Sequence, residues 1–104
     1  MLNGDIEVKI DNDRGIIVLG STLSTKDTRD VRRTFEYLEQ NNITDIYVNM
    51  SNVYQVDSSG VGILVMYLKR VKEQSGNLRL MFPREEVKRI LRLVNLYSYF
   101  EIIE

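Results

Sequence analysis

Apolar residues in this chain recur with two periods that take turns along its length, and that alternation leaves few folds open. Ile6, Val8 and Ile10 are separated by Glu7 and Lys9, the period of two expected of a half-buried strand. Asn12-Asp13-Arg14-Gly15 is rich in turn formers. Ile16 to Leu19 is then a continuous apolar run, suited to a more buried strand that pairs with the first as a hairpin. From Ser24 the spacing changes. Val31, Phe35 and Leu38 predict a helix, opened by a capping box of Ser24 and Asp27 and ended at Asn41-Asn42. Ile43 to Met50 returns to strand character, and Ser59 to about Gln74 reads as a second helix closed by Ser75-Gly76. Leu78, Leu80 and Phe82 alternate in a further strand. Pro83 is placed to open a third helix with the stripe Val87, Ile90, Leu91 and Val94, which Asn95 ends. Phe100, Ile102 and Ile103 form a last apolar segment, strand or packed tail.

Strands that alternate with helices require right-handed crossovers and a largely parallel sheet. The first hairpin adds an antiparallel edge. The expectation is one α/β domain spanning residues 1–104, a length that supports a single core without disulfides or metals. Its 43% apolar and 28% charged residues are those of an ordinary globular chain.

Several function classes are excluded or made remote. The chain has no histidine, which removes Ser-His-Asp chemistry, histidine general acid–base work and histidine-ligated metals. It has no cysteine, hence no zinc–thiolate site. With 14 basic against 15 acidic side chains it lacks the electrostatic footprint of a nucleic-acid or anionic-membrane binder. The longest apolar run, Ile63 to Leu68, is far short of a membrane span, and "MLNGDIEVKID" is not patterned as a signal peptide. A cytoplasmic protein without cofactor is expected. The carboxylates offer little to an enzyme reading: Asp45 and Asp57 lack an obvious second acid, and Glu85 and Glu86 belong to a charged helix face.

One stretch remains, "YQVDSSGVGILVMYLKRV", residues 54–71. Asp, Ser and Gly are what a strand-to-helix turn and its N-cap prefer, so Asp57 to Gly60 can be read as a turn alone. Two features go beyond that. Two serines stand where one would cap, and the following helix carries two apolar faces. Val61, Leu64, Val65 and Leu68 fall on one side, and Ile63, Met66 and Tyr67 on the other. The second face either lies under a neighbouring helix or offers an apolar patch to a partner.

The segment "VNMSNVYQVDSSGVGILVMYLKRVKEQSGNLRL" resembles the centre of a STAS domain of the bacterial anti-sigma factor antagonist type. Asp57-Ser58-Ser59-Gly60-Val61-Gly62 matches the family motif at every position, and the resemblance runs over essentially the whole chain. It implies a small sheet covered mainly on one side by helices. It also implies a switch in place of an enzyme: Ser58 as the residue phosphorylated by an anti-sigma factor that is also a serine kinase, framed by Asp57, Ser59, Gly60 and Gly62. The unmodified protein would bind that kinase and free a sigma factor, and a PP2C-type phosphatase would restore it after phosphorylation. Ile63, Met66 and Tyr67, together with Ser24, become the expected partner-binding residues. The loop after Gly20 departs from the family pattern, being one residue longer and carrying Ser24 where an aspartate is usual. Asn95-Leu96 stands where Gly-Leu is common. The same resemblance also fits a STAS scaffold or regulatory subunit of a larger assembly, stressosome-like or transporter-associated, that does not act on a sigma factor.

Overall fold

The computed structural model describes residues 2–3 and 5–104. Two strands, β1 (Leu2–Asn3) and β2 (Ile6–Asp11), precede β3 (Arg14–Val18) and the short β4 (Thr22–Leu23). A single 3-10 turn, Thr25–Asp27, leads into α1 (Thr28–Gln40). There follow β5 (Asp45–Asn49), the short β6 (Gln55–Val56), α2 (Ser58–Glu73), β7 (Asn77–Met81) and α3 (Glu85–Leu93). After a 3-10 turn at Tyr97–Tyr99, the final segment pairs as a strand, β8 (Glu101–Ile103).

The main sheet runs β1-β2-β3-β5-β7-β8. Its β1–β2 and β2–β3 pairs are antiparallel, and the pairs from β3 through β8 are parallel. The α/β domain with a largely parallel sheet and an N-terminal hairpin is therefore what forms. The hairpin turns at Asn12, whose φ of 58° puts it in the left-handed region that asparagine tolerates. Arg14 and Gly15, expected in the turn, already pair with Asp11 and Ile10.

Strand alternation decides which face is covered. Ile6, Val8, Ile17, Ile46, Val48, Leu78 and Leu80 point to one side and are buried under the helices. Ile16, Tyr47, Arg79 and Glu101 lie in register on the other. There Arg79 pairs with Asp45 and, at 2.6 Å, with Glu101, while its guanidinium lies 4.8 Å from the centre of the Tyr47 ring. The open face thus carries its own polar cover.

Two boundaries differ from the sequence reading. Helix α2 begins at Ser58 and not Ser59, because Asp57 is the cap. Helix α3 begins at Glu85 behind an Arg84 cap, so Pro83 lies outside it. Phe82 just before that proline has φ 57°, which sends the chain sharply away from β7. Asn42, Ser75 and Asn95 close the three helices with left-handed φ of 59°, 64° and 60°. At Gly76 any side chain would collide with the chain, since a Cβ would stand 2.0 Å from the Thr44 carbonyl oxygen.

Helix α2 needs both of its apolar faces. Val61, Leu64 and Leu68 are buried, and so are Ile63 and Tyr67, which are only 4% and 3% exposed. The Tyr67 ring stacks on Phe35 of α1, centroids 4.2 Å apart and planes within 9°. Burial raises the Tyr67 phenol above its ordinary pKa. The expectation that Ile63 and Tyr67 present an apolar patch is therefore corrected. The helix packs against the sheet and also against α1, and that second layer takes these side chains into the core. Met66 alone of the three stays at the surface, 38% exposed.

Candidate functional site

The loops that follow β3 and β5 meet at the carboxyl end of the parallel strands, where open α/β sheets commonly place their sites. They are joined by the short parallel pair of β4 and β6, with Thr22 opposite Gln55 and Leu23 opposite Val56. That pairing brings residue 25 next to residue 57. The Asp57 amide donates to the Leu23 carbonyl at 3.2 Å. A Cβ on Gly60 would stand 2.1 Å from the same oxygen, so only glycine lets the first turn of α2 come this close.

Asp57 caps α2. One carboxylate oxygen accepts from the Gly60 amide at 3.0 Å, and the other accepts from the Thr25 amide at 3.1 Å. These bonds favour the ionised form, the Gly60 amide foremost, and outweigh partial desolvation, so the carboxyl pKa is held below its ordinary value. The Thr25 hydroxyl stands 3.3 Å from that second oxygen and 3.0 Å from the Ser59 hydroxyl. The starts of α1 and α2 are therefore fastened to one another through Thr25.

The two serines are not equivalent. Ser59 is engaged by Thr25. Ser58 is exposed at the first position of the helix, and among the described residues its hydroxyl has no hydrogen-bond partner. A group attached there meets solvent on one side and the amino end of a helix on the other, a setting that favours negative charge.

Ser24 sits apart from this cluster in its bonding. Its amide donates to the Asp27 carboxylate at 2.9 Å, the half of the expected capping box that Asp27 supplies, and its hydroxyl donates to the same oxygen at 3.1 Å. Thr22 donates to the same oxygen at 2.7 Å. The Ser24 hydroxyl thus shapes the entry to α1.

Beyond Ser59 the space between α1 and α2 opens into a groove of about 290 Å³, lined by Thr25, Thr28, Arg32, Gly62 and Met66 among others. A Cβ on Gly62 would meet nothing within 4 Å. The two motif glycines therefore differ in kind: Gly60 is demanded by packing and Gly62 is not. A glycine in a helix interior costs about 1 kcal/mol relative to alanine.

The STAS domain model matches residues 5–104 of this sequence. The chain belongs to the STAS domain family. A curated relative, the anti-sigma-B factor antagonist of Staphylococcus epidermidis, is 24% identical over 103 residues, covering 99% of this chain and 95% of the relative. Among solved structures, a putative anti-sigma factor antagonist from Thermotoga maritima superposes with a TM-score of 0.86 at 25% identity, over 98% of this chain and 88% of that one. The anti-sigma factor antagonist SpoIIAA of Bacillus shares the fold at 18% identity. Its unphosphorylated form gives a TM-score of 0.80 over 95% of this chain and 88% of its own, and its phosphorylated form 0.74 over 95% and 91%.

In this STAS domain the motif residues Asp57, Ser58, Ser59 and Gly60 come together as one turn, with Gly62 one step further along the groove. Thr25 was not legible from the sequence, because nothing in its spacing connects it with a motif 32 residues away. Arg32 was equally silent, one basic residue among several on α1. Among the described residues no cluster of acidic side chains could hold a metal ion, and no helix is long and apolar enough to cross a membrane.

Proposed function

We propose that this STAS domain is an anti-sigma factor antagonist that works by partner switching, with Ser58 as its phosphorylation site. Unmodified, it binds an anti-sigma factor that is also a serine kinase, and so frees a sigma factor. Phosphorylated on Ser58, it releases that partner, and a PP2C-type phosphatase returns it to the binding form. It is not itself an enzyme: the kinase brings the chemistry, and this chain offers a hydroxyl.

The observation that carries the reading is the difference between the serines. Ser58 is exposed and unengaged directly after the capping aspartate, whereas Ser59 is engaged by Thr25. The named roles of the Staphylococcus and Thermotoga relatives support the same reading. A phosphate adds about −1.5 to −2 charge and three strong acceptors. Here it would stand beside the ionised Asp57, stabilised by the helix amino end but unwelcome to any partner surface that must desolvate it.

Incubation of the purified protein with its anti-sigma factor and ATP tests the site. Phosphopeptide mapping should place the group on Ser58 and find none after Ser58→Ala. Modification of Ser59, or of neither serine, would refute the assignment.

A further inference from the structure

The groove between α1 and α2 continues from the hydroxyl cluster, and beyond that cluster Arg32, Gly62 and Met66 are open to solvent. At its floor Gly62 leaves open space where Gly60 has backbone pressed against it. One turn on, Met66 exposes a flexible apolar side chain. Across from these, Arg32 is exposed and makes no hydrogen bond or ion pair among the described residues. The contrast lies along the same helix pair, where Arg70 of α2 closes on Glu39 of α1 at 2.7 Å. The far end of the seam is thus closed by an ion pair within the domain, whereas Arg32 at the end beside Ser59 is held in none. Arg29 and Arg33 are also exposed on this half of α1, as is Lys26 in the 3-10 turn before it, while Asp27 is turned into its own cap.

We propose that this groove receives an acidic segment of the anti-sigma factor, its backbone passing over Gly62 and a carboxylate meeting Arg32. The inference rests on the antagonist reading and adds where and by what chemistry the partner is held. Charge complementarity selects the acidic occupant: Arg32 is the one charged side chain among the described residues of the lining, and a guanidinium recognises a carboxylate through paired hydrogen bonds. The bare floor at Gly62 selects close backbone approach, since any side chain there would hold the partner away. The placement also explains why a phosphate would switch binding. On Ser58, the neighbour of the groove-lining Ser59, it would repel the same carboxylate that Arg32 attracts.

Calorimetric titration with the purified anti-sigma factor that phosphorylates this chain decides the matter. The wild type should bind. Gly62→Ala should melt about 4 °C higher, because alanine is the better helix former, yet bind about tenfold more weakly. Arg32→Glu should weaken binding roughly tenfold or more, and Lys9→Glu on the open sheet face should change nothing. Should the wild type bind while Gly62→Ala and Arg32→Glu bind equally well, the groove is overturned and the antagonist reading stands. If the wild type itself does not bind, both fall. A wild-type dimer in sedimentation that Gly62→Leu dissolves would give the groove to a second copy of the chain and overturn the proposal.

Discussion

Asp57 accepts hydrogen bonds from the first turn of α2 and from Thr25 at the entrance to α1, so removing its carboxylate loosens two helices at once. Asp57→Ala should lower stability measurably in urea denaturation, as the loss of an N-cap does. The pH dependence follows from the sign of its pKa shift. The folded value lies below the ordinary one, so the unfolded state takes up a proton first as acid is added. The stabilisation from the ionised cap is complete above about pH 4 and is lost as pH falls through the lower folded value. The stability difference between wild type and Asp57→Asn should accordingly shrink below pH 4; a difference that persists there would show that charge is not what Asp57 contributes. Gly60→Ala should cost about 2–3 kcal/mol, the order expected when a packed site is overfilled, because its Cβ would press on the Leu23 carbonyl. That Asp57 to Gly60 form a turn and cap was legible in the sequence, since a cap is a local demand on adjacent residues; that Asp57 and not a serine is the cap was not. The role of Thr25 was not, because it exists only after β4 and β6 have paired.

Helix α2 shows what a hydrophobic pattern does and does not carry. The sequence displays both apolar faces, but periodicity alone cannot say whether the second is covered by another element. The structure places α1 over it, with Phe35 stacked on Tyr67. Tyr67→Ala should therefore behave as a core truncation and cost about 3 kcal/mol. Met66→Asp, one position away but at the surface, should change stability by no more than about 0.5 kcal/mol while impairing partner binding. Thermal or urea melts of the two variants separate the cases; a Met66→Asp protein that is severely destabilised would return Met66 to the core. Boundaries at helix ends were less legible than the helices themselves. Pro83 suggested a start for α3, yet the left-handed Phe82 before it shows the chain still turning there.

At the scale of the molecule, element order was enough to predict a largely parallel sheet with an antiparallel hairpin at its edge. What order could not give was the seam between α1 and α2, whose surface depends on which side chains the two helices turn toward each other. The site is built on a rigid corner, with Asp57, Gly60 and Leu23 locked by backbone contacts, so phosphorylation should act at the surface and leave the fold intact. Circular dichroism and melting temperature of the phosphorylated protein should match those of the unmodified protein closely. The central claim is that Ser58 is a switch and not a contact. It is tested most directly by titrating the anti-sigma factor against unmodified, phosphorylated and Ser58→Ala protein. The account predicts tight and equal binding by the unmodified and alanine forms and binding at least about tenfold weaker after phosphorylation, a loss of about 1.4 kcal/mol or more. An alanine variant that binds no better than the phosphorylated protein would contradict it.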